Sequence, residues 1–185
     1  MAPASACKWL RTRAKARLAR ARVNDAAEGE RREHGMRTNS AAYFGLFDTD
    51  LVLLLVQMRL AALSKVPWSR FEPPNVLHYA VGETFKTHVD FINPAAPAFA
   101  QELALFGQRV ATALVWLNDG YAGGQTDFPT LGKRFRGAAG DALIFFNVDE
   151  LGQPEPRTLH AGMPPTRGQK WILSQWMRER VQPIA

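Results

Sequence analysis

The sequence predicts a mainly β fold with flanking helices, because a helical beginning gives way to a strand-rich remainder. Before Pro67, two segments have helical patterns, a basic one near the start of the chain and an apolar one that begins after Asp48 or Thr49. After Pro67, short runs of β-branched and aromatic residues are separated by Gly, Pro and Asn. Two helices followed by about seven strands are typical of a β-sandwich or small barrel with helices on one side.

The first segment predicts a helix that packs on the protein through one apolar stripe. The stripe consists of Trp9, Leu10, Ala14, Leu18 and Ala21. Residues 1–22 hold seven basic side chains and no acidic one, so removing seven from the net charge of +6 leaves the remainder nearly neutral. We interpret the segment as a packed helix with a solvated basic face and expect no specific nucleic-acid partner. An organelle transit peptide and a phosphate-binding patch are the alternatives.

The second segment predicts an amphipathic helix that backs the sheet and ends before Pro67. Its apolar run, residues 51–56, is far shorter than the about 20 residues that a membrane-spanning helix requires, so we expect no membrane partner. The predicted strands are residues 75–81, 85–91, 109–117, 125–128, 142–147, 157–162 and 170–178. Residues 93–97 contain two prolines and predict a loop near the site, and residues 99–108 predict a helical turn or an ordered loop.

The chain length and the cysteine count set the organisation that we expect. A chain of 185 residues can bury one substantial core, so we predict a single domain. Residues 1–66 form its mainly helical support region and residues 67–185 its β core. The one cysteine, Cys7, cannot form an internal disulfide, and nothing ties the protein to an oxidising compartment. We therefore expect a cytoplasmic protein, with Cys7 as a small apolar residue on the first helix.

Two histidines and one carboxylate are candidate metal ligands. His88 and Asp90 flank Val89 and would share one face of a strand, whereas a helix would separate them. His160 can point inward from a second strand. Two imidazole nitrogens and one carboxylate oxygen form the three-ligand face with open positions that is typical of non-haem Fe(II) oxygenases. The alternatives are a His-x-Asp sequence that occurs by chance and a hydrogen-bonded core histidine.

Lys170 is a candidate binding residue for an anion. On the last predicted strand, positions 170, 172, 174 and 176 alternate against positions 171, 173 and 175, so Lys170 and Trp176 share a face. Lys170 would then be a cation inside a pocket beside the metal, which is unfavourable unless an anion pairs with it. A carboxylate cosubstrate would meet this need, and an exposed lysine is the alternative.

Residues 76–178 resemble the prolyl 4-hydroxylase group of the Fe(II)- and 2-oxoglutarate-dependent dioxygenases. The matching segments are VLHYAVGETFKTHVDF (76–91), QRVATALVWLNDGYAGGQTDFP (108–129), GDALIFFN (140–147) and TLHAGMPPTRGQKWILSQW (158–176). They keep their order and intervals across more than half of the chain. Upstream, residues 7–23 are similar to the family's amino-terminal helix and strand, and residues 37–40 to the loop that leads into its core.

The resemblance implies a double-stranded β-helix core, a jelly-roll variant that is cupin-like. It implies that His88, Asp90 and His160 hold Fe(II), that 2-oxoglutarate and O2 are consumed, and that succinate and CO2 are released, with ascorbate as reductant. It assigns the distal carboxylate of 2-oxoglutarate to Lys170, and further cosubstrate contacts to Tyr79 and Thr126. A structural tyrosine and a hydrogen-bonded strand threonine are the alternatives for the latter two. Two glycines at 123–124 would permit a close approach of the backbone to the pocket.

The resemblance also implies a substrate, a proline-containing peptide or protein that is hydroxylated at proline. Arg109 and Trp176 correspond to positions that line the substrate groove, where arginine can donate to a peptide carbonyl and tryptophan can pack on a proline ring. A surface arginine and a core aromatic are their alternatives. The runner-up functions are the same chemistry on another side chain or a small molecule, and a non-catalytic metal-binding module.

A few residues depart from the family pattern or are left out of the site. At Trp116 the family more often has tyrosine, whose hydroxyl can bind the distal carboxylate; an indole offers one N–H donor and no acceptor. We expect Phe85, three residues before His88, to pack in the core, and a place in the wall of the pocket is the alternative. The remaining histidines, His34 and His78, are not assigned to the metal.

Overall fold

The computed structural model describes residues 1–21, 23–24, 31–32 and 35–182, and it consists mainly of antiparallel β-strands. The helices are α1 (Ala4–Lys15), α2 (Leu51–Ser64) and α3 (Ala100–Phe106). The strands are β1 (Ala19–Arg20), β2 (Val23–Asn24), β3 (Arg31–Arg32), β4 (Ser40–Tyr43), β5 (Asn75–Tyr79), β6 (Phe85–His88), β7 (Arg109–Trp116), β8 (Ala122–Gly123), β9 (Thr126–Phe128), β10 (Lys133–Phe135), β11 (Ala142–Phe146), β12 (His160–Gly162), β13 (Pro165–Arg167) and β14 (Lys170–Arg178). The predicted fold class, mainly β with flanking helices, is confirmed.

Two antiparallel sheets enclose the interior of the protein. The larger sheet has the strand order β1-β4-β5-β14-β7-β11, and the smaller one β10-β9-β12-β6. Two short pairs, β13-β8 and β2-β3, complete the strands. Leu77 and Ile172 of the larger sheet pack in one cluster with Phe128 of the smaller sheet. The two sheets therefore face each other across a shared core, as the predicted jelly roll requires.

The larger sheet also carries the helices on its other face. Leu173 follows Ile172 on β14 and, because side chains alternate along a strand, it points to the opposite side. There it belongs to a second cluster that includes Leu10 of α1 and Leu53 and Leu60 of α2. The prediction that α2 backs the sheet is confirmed.

Helix α1 is shorter than its predicted apolar stripe. It ends at Lys15, so Leu18 and Ala21 lie beyond it. Its buried residues are Ala6, Cys7, Leu10 and Ala14, which confirms the burial predicted for Cys7. Trp9 does not belong to the buried face: it is 48% exposed, and its indole N–H donates to Asp50 Oδ2 at 2.7 Å.

Helix α2 begins later than the sequence predicts. The cap is Asp50, whose Oδ1 accepts a hydrogen bond from the Leu53 N–H at 2.8 Å, in the usual manner of an N-cap. Asp48 instead accepts from the Gly45 N–H at 3.0 Å and closes the turn before the helix. The prediction that the helix begins directly after Asp48 or Thr49 was therefore wrong. Among the described residues, no helix is both long enough and apolar enough to cross a bilayer.

Several strands after Pro67 differ from the prediction at their ends. The strand predicted over 85–91 ends at His88, so Asp90 lies in a bend, and the strand predicted over 157–162 begins only at His160. A 3-10 turn, Pro156–Thr158, replaces its first residues, and α3 occupies most of 99–108. The extended geometry assumed for Asp90 was wrong, although its side chain still reaches the metal site described below.

Several short strands were not predicted. Strands β4, β8, β10 and β13, of two to four residues, contain too few alternations to give a periodic signal. Strands β1 and β4 extend the larger sheet from within residues 1–66. The region expected to be mainly helical therefore also contributes strands to the β core.

Candidate active site

Three side chains converge at one end of the space between the sheets. His88 at the end of β6 and His160 at the start of β12 are partners in the strand register, and Asp90 follows in the bend. His88 Nε2 lies 3.8 Å from Asp90 Oδ1, and His160 Nε2 lies 3.9 Å from Asp90 Oδ2. One ligand atom from each residue lies within 4.8 Å of the others. This separation allows a single ion to contact all three.

The backbone orients both imidazole rings toward this shared centre. His88 Nδ1 lies 2.8 Å from the Lys86 carbonyl oxygen, and His160 Nδ1 lies 2.9 Å from that of Thr158. We assign the proton of each ring to Nδ1 because that atom faces an acceptor, which leaves the Nε2 lone pair for a metal. Burial, with the neighbouring His160, lowers the pKa of His88 to about 3. The ring is therefore neutral, as a metal ligand must be.

The Asp90 carboxylate is held by the buried Thr112 of the larger sheet, which is held in turn by the buried Asn147. Thr112 Oγ1 on β7 donates to Asp90 Oδ2 at 2.7 Å, and Asn147 Nδ2 donates to Thr112 Oγ1 at 3.0 Å. Burial acts to raise the pKa of Asp90, but His160, His88, Arg109 and the Thr112 hydroxyl together lower it. Asp90 is therefore an oriented, ionised ligand. Sequence reasoning missed Thr112 and Asn147, since neither can coordinate the metal well and nothing local links them to Asp90.

Replacing Thr112 with valine should weaken iron binding about 10- to 100-fold, the range found when a residue that orients a metal ligand is lost. The side-chain volume is nearly unchanged, but Asp90 Oδ2 loses its donor. The iron dissociation constant can be measured by competition with a chelator. Thr112→Ser is the matched control: it keeps the hydroxyl and should retain near-normal affinity. Equal weakening in both variants would contradict the assigned role of the hydroxyl.

Lys170 extends from β14 into a cavity beside the metal cluster. It is 2% exposed, and burial lowers the pKa of its ammonium group to about 7. Its Nζ lies 5.1 Å from the centre of the Tyr79 ring, and within the described part of the chain no carboxylate forms an ion pair with it. The cavity also contacts His88 and His160. An anion that enters this cavity would therefore meet the lysine at one end and the metal ligands at the other.

Tyr79 and Thr126, the other predicted cosubstrate residues, line the same cavity. Tyr79 is buried, and burial raises its pKa to about 12, so its hydroxyl stays protonated and can donate. A Cβ at Gly162 would lie 2.8 Å from Tyr79 Oη, and glycine therefore leaves room for the phenol. Gly124 has a φ of +66°, and a Cβ there would lie 3.4 Å from Lys170 Cδ. The predicted close approach of the backbone to the pocket is seen at Gly124, whereas a Cβ at Gly123 would meet the Pro164 carbonyl and Thr166.

Trp116 does not line this cavity. It packs in the shared core between the sheets, where a Cβ at Gly137 would lie 2.6 Å from its ring. Its indole N–H is buried and lies beside the Tyr121 side chain. The structure therefore gives no support for a direct cosubstrate contact by Trp116.

A second cavity of about 260 Å³, the mouth, opens over His88 and Asp90 and contains Arg109 and Trp176. The guanidinium carbon of Arg109 lies 3.8 Å from the centre of a Trp176 ring. Arg109 Nε and Nη2 donate to Glu72 Oε1 and Oε2 at 2.7 and 3.0 Å. Neither predicted groove residue is an ordinary surface or core side chain. Sequence reasoning missed Glu72, which fixes the arginine in this position.

Three further positions that the sequence analysis named are Phe85, His78 and His34, and the first of them belongs to the site. Phe85 packs against the core cluster, as expected, and it also forms part of the pocket wall: it stacks on His88 with 3.6 Å between ring centres and lines both cavities. His78 lies against Trp171, with 4.4 Å between ring centres, and is not part of the metal cluster. His34 lies outside the described residues.

Comparison with known proteins agrees with this geometry. Residues 74–178, more than half of the chain, match the family described as the 2OG-Fe(II) oxygenase superfamily. The chain belongs to this superfamily. It is 33% identical over 169 residues to prolyl 4-hydroxylase subunit alpha-1 of Rattus norvegicus, covering 91% of the chain and 31% of that protein. It is 31% identical over 188 residues to prolyl 4-hydroxylase 1 of Arabidopsis thaliana, covering 94% of the chain and 65% of that protein.

Solved structures of oxygenases share the fold. The 2OG complex of the viral collagen prolyl hydroxylase vCPH from Paramecium Bursaria Chlorella virus-1 matches with a TM-score of 0.70 at 25% identity, over 95% of this chain and 91% of that one. A Pseudomonas putida prolyl-4-hydroxylase matches with a TM-score of 0.64 at 18% identity, over 96% and 88% of the two chains. These likenesses confirm the double-stranded β-helix that the sequence predicts for this 2OG-Fe(II) oxygenase.

The residues of this 2OG-Fe(II) oxygenase fit the cofactors of its family, which are Fe(II), 2-oxoglutarate and O2, with ascorbate typical of prolyl 4-hydroxylases. His88, Asp90 and His160 offer two nitrogens and one oxygen to iron and leave positions open. Lys170 offers a dicarboxylate a buried ammonium group that has no ion-pair partner in the part of the chain that the structure describes. The predicted cofactor set is confirmed.

Proposed function

We propose that this chain carries the catalytic site of an Fe(II)- and 2-oxoglutarate-dependent dioxygenase that hydroxylates peptidyl proline and releases succinate and CO2. The observation that carries the proposal is the order of the parts: the metal cluster lies between an inner cavity with Lys170 and an outer mouth with Arg109 and Trp176. The chain covers less than two thirds of each of the two curated relatives. Their names motivate the choice of prolyl substrate.

The inner cavity binds the cosubstrate. When bound, Fe(II) with 2-oxoglutarate and O2 supplies the oxidation that converts a C–H bond into C–OH. Lys170 binds the distal carboxylate through a charge-assisted hydrogen bond, which is about twice as strong as a neutral one. The Tyr79 and Thr126 hydroxyls add donors in the same cavity. Because all three side chains are buried, bulk water is kept from the charge pair.

The mouth binds the peptide. With Nε and Nη2 engaged by Glu72, the Nη1 donor of Arg109 is left for a peptide carbonyl. The same ion pair and the stack on Trp176 hold the guanidinium in one plane, so little side-chain freedom is lost on binding. The Trp176 indole provides an aromatic wall for a proline ring. Substrate and iron are thus brought together by residues that are ordered beforehand.

Two other functions use the same site. One is the same oxidation of another side chain or a small molecule, and the other is a non-catalytic module that holds a structural ion. Structural zinc sites usually have a fourth protein ligand, whereas the cluster in the described residues consists of His88, Asp90 and His160. This difference favours an enzyme. The cytoplasmic location and the expected absence of nucleic-acid and membrane partners stay predictions.

Arg109→Ala tests the peptide substrate. With a panel of proline-containing peptides, the wild-type protein should form succinate and add one oxygen at proline, detected by mass spectrometry. The variant should lose about 10- to 100-fold in kcat/KM for peptide, since a hydrogen bond to a charged group contributes roughly 1.5–3 kcal/mol. Peptide-independent decarboxylation of 2-oxoglutarate should change little, because Lys170 and the metal ligands are intact.

Arg134→Ala is the control for this test, because Arg134 is an exposed arginine paired with Asp127 away from the mouth. It should behave as the wild type. If no peptide gains oxygen while a small molecule or another side chain is oxidised well, the prolyl assignment is replaced by the alternative substrate. If neither reaction occurs with iron bound, the non-catalytic module is favoured.

A further inference from the structure

A second groove lies next to the mouth, beyond Glu72, and the catalytic chemistry does not use it. It has a volume of about 360 Å³. Its aromatic and proline walls are Phe44, Phe47, Trp68, Phe71, Pro73 and Pro74. Phe47 is 97% exposed, so its ring contributes almost nothing to the folded core. Leu46 and Val181 are further exposed apolar residues of the lining, whereas Phe44 and Phe71 are buried, so the groove offers apolar surface that a partner can cover.

Glu72 joins the groove to the mouth. Its side chain holds Arg109 in the mouth, while the residue itself lines the groove. Its backbone N–H donates to the Trp176 carbonyl at 3.0 Å, and its own carbonyl accepts from Gln175 Nε2 at 2.6 Å. Glu72, which is fixed to β14, therefore links the two cavities: it lines the groove, and its side chain holds an arginine that lines the mouth.

The floor of the groove is fixed to the same strand. The Trp68 indole N–H donates to Gln57 Oε1 at 3.1 Å, and Gln57 Nε2 donates to Gln175 Oε1 at 2.8 Å. Gln57 and Gln175 are buried, and the side-chain nitrogen and oxygen of each form hydrogen bonds. A satisfied buried hydrogen-bond chain of this kind holds its members in one arrangement. The aromatic wall at Trp68 is thus in a defined position relative to Trp176 in the mouth.

We propose that this groove binds residues that flank the target proline in the same peptide, and that it selects proline or other apolar side chains. The inference rests on the proposed function, since it requires a peptide in the mouth. An extended peptide that crosses Glu72 would stay in contact with the protein on both sides. Proline-rich segments keep an extended conformation in water and dock onto aromatic-lined grooves with little loss of entropy. The chemistry of the walls matches such a partner.

The test compares a short blocked peptide that contains only the target proline with peptides that extend it by prolines on either side. Phe47→Ser is the variant, because a ring that is 97% exposed can be removed without disturbing the fold. For the longer peptide that the groove binds, KM should rise about 10-fold, the effect expected when an aromatic contact of more than 1 kcal/mol is lost. The KM values for the short peptide and for 2-oxoglutarate should stay the same.

Leu151→Ser is the matched control, an 83% exposed apolar residue that lines a different groove, and it should leave every KM unchanged. A binding measurement independent of turnover uses a fluorescent proline-rich flank without the target proline. Its anisotropy should rise with wild-type protein and with Leu151→Ser, and much less with Phe47→Ser. The flank should also compete with the long peptide and not with the short one.

Three results would overturn the inference. The first is a KM for hydroxylated peptides that is independent of their flanks. The second is a rise in KM caused by Leu151→Ser in place of Phe47→Ser. The third is a wild-type dimer in sedimentation that Phe47→Ser dissociates, since a second copy would then occupy the groove. Failure of the proposed function looks different: no peptide of any length would be hydroxylated.

Discussion

Replacing His160 with alanine should abolish turnover and leave the protein without tightly held iron. The cluster would lose one of its two nitrogen ligands, and the loss should exceed the roughly 100-fold effect of removing a residue that only orients a ligand. The remaining residues, His88 and Asp90, would supply only two of the three protein ligands. Iron content by elemental analysis after reconstitution, together with succinate formation, measures both effects.

His78→Ala is the control, since this histidine contacts Trp171 and lies outside the metal cluster. It should retain iron and activity. Circular dichroism should show that both variants keep their β structure, because the strands are paired through their backbones and the His160 ring is one contact among many in the core, where it meets Phe128 and Phe145. An active, iron-replete His160→Ala protein would refute the ligand assignment.

Lys170→Ala should raise the KM for 2-oxoglutarate about 30- to 150-fold, as expected from losing a charge-assisted bond of roughly 2–3 kcal/mol. Iron affinity should change far less, because Lys170 belongs to the far end of the inner cavity. Steady-state kinetics and a chelator competition separate the two quantities. An unchanged KM would show that the distal carboxylate binds elsewhere.

Lys170→Met provides an independent check through stability. The Lys170 pKa falls from an ordinary 10.5 to about 7 on folding, so the folded state binds its proton less readily than the unfolded chain. The resulting destabilisation is absent well above pH 10.5, grows as pH falls, and is complete below about pH 7. Without 2-oxoglutarate, the variant should therefore melt at a higher temperature than the wild type, by a margin that widens from about pH 10 to about pH 7. A margin independent of pH would contradict the buried, unpaired ammonium.

The parts that sequence predicted well are those with a local pattern. Strand β14 was predicted at its observed ends, and its alternation placed Lys170 and Trp176 on one face, because the strand is long and its side chains repeat every second residue. The metal ligands followed from residue chemistry and from the family resemblance. In the structure, His88 and His160 are direct partners in the register of β6 and β12.

The parts that sequence missed depend on contacts between distant positions. Glu72 reaches Arg109 across 37 residues, and Asn147 reaches Thr112 across 35. No periodicity marks such pairs, since each member is an ordinary residue in its own segment. The bend at Asp90 was missed for a related reason: its side chain is drawn inward by Thr112, a partner on another strand, and not by the pleat of β6.

The anchoring of Asp90 has a mechanical consequence. The two histidines project from the smaller sheet, whereas the carboxylate is tethered through Thr112 to the larger one. An ion bound by all three side chains would therefore link the smaller sheet to the larger one at the metal site. Bound iron would add this link beside the contacts of the core that already join the two sheets.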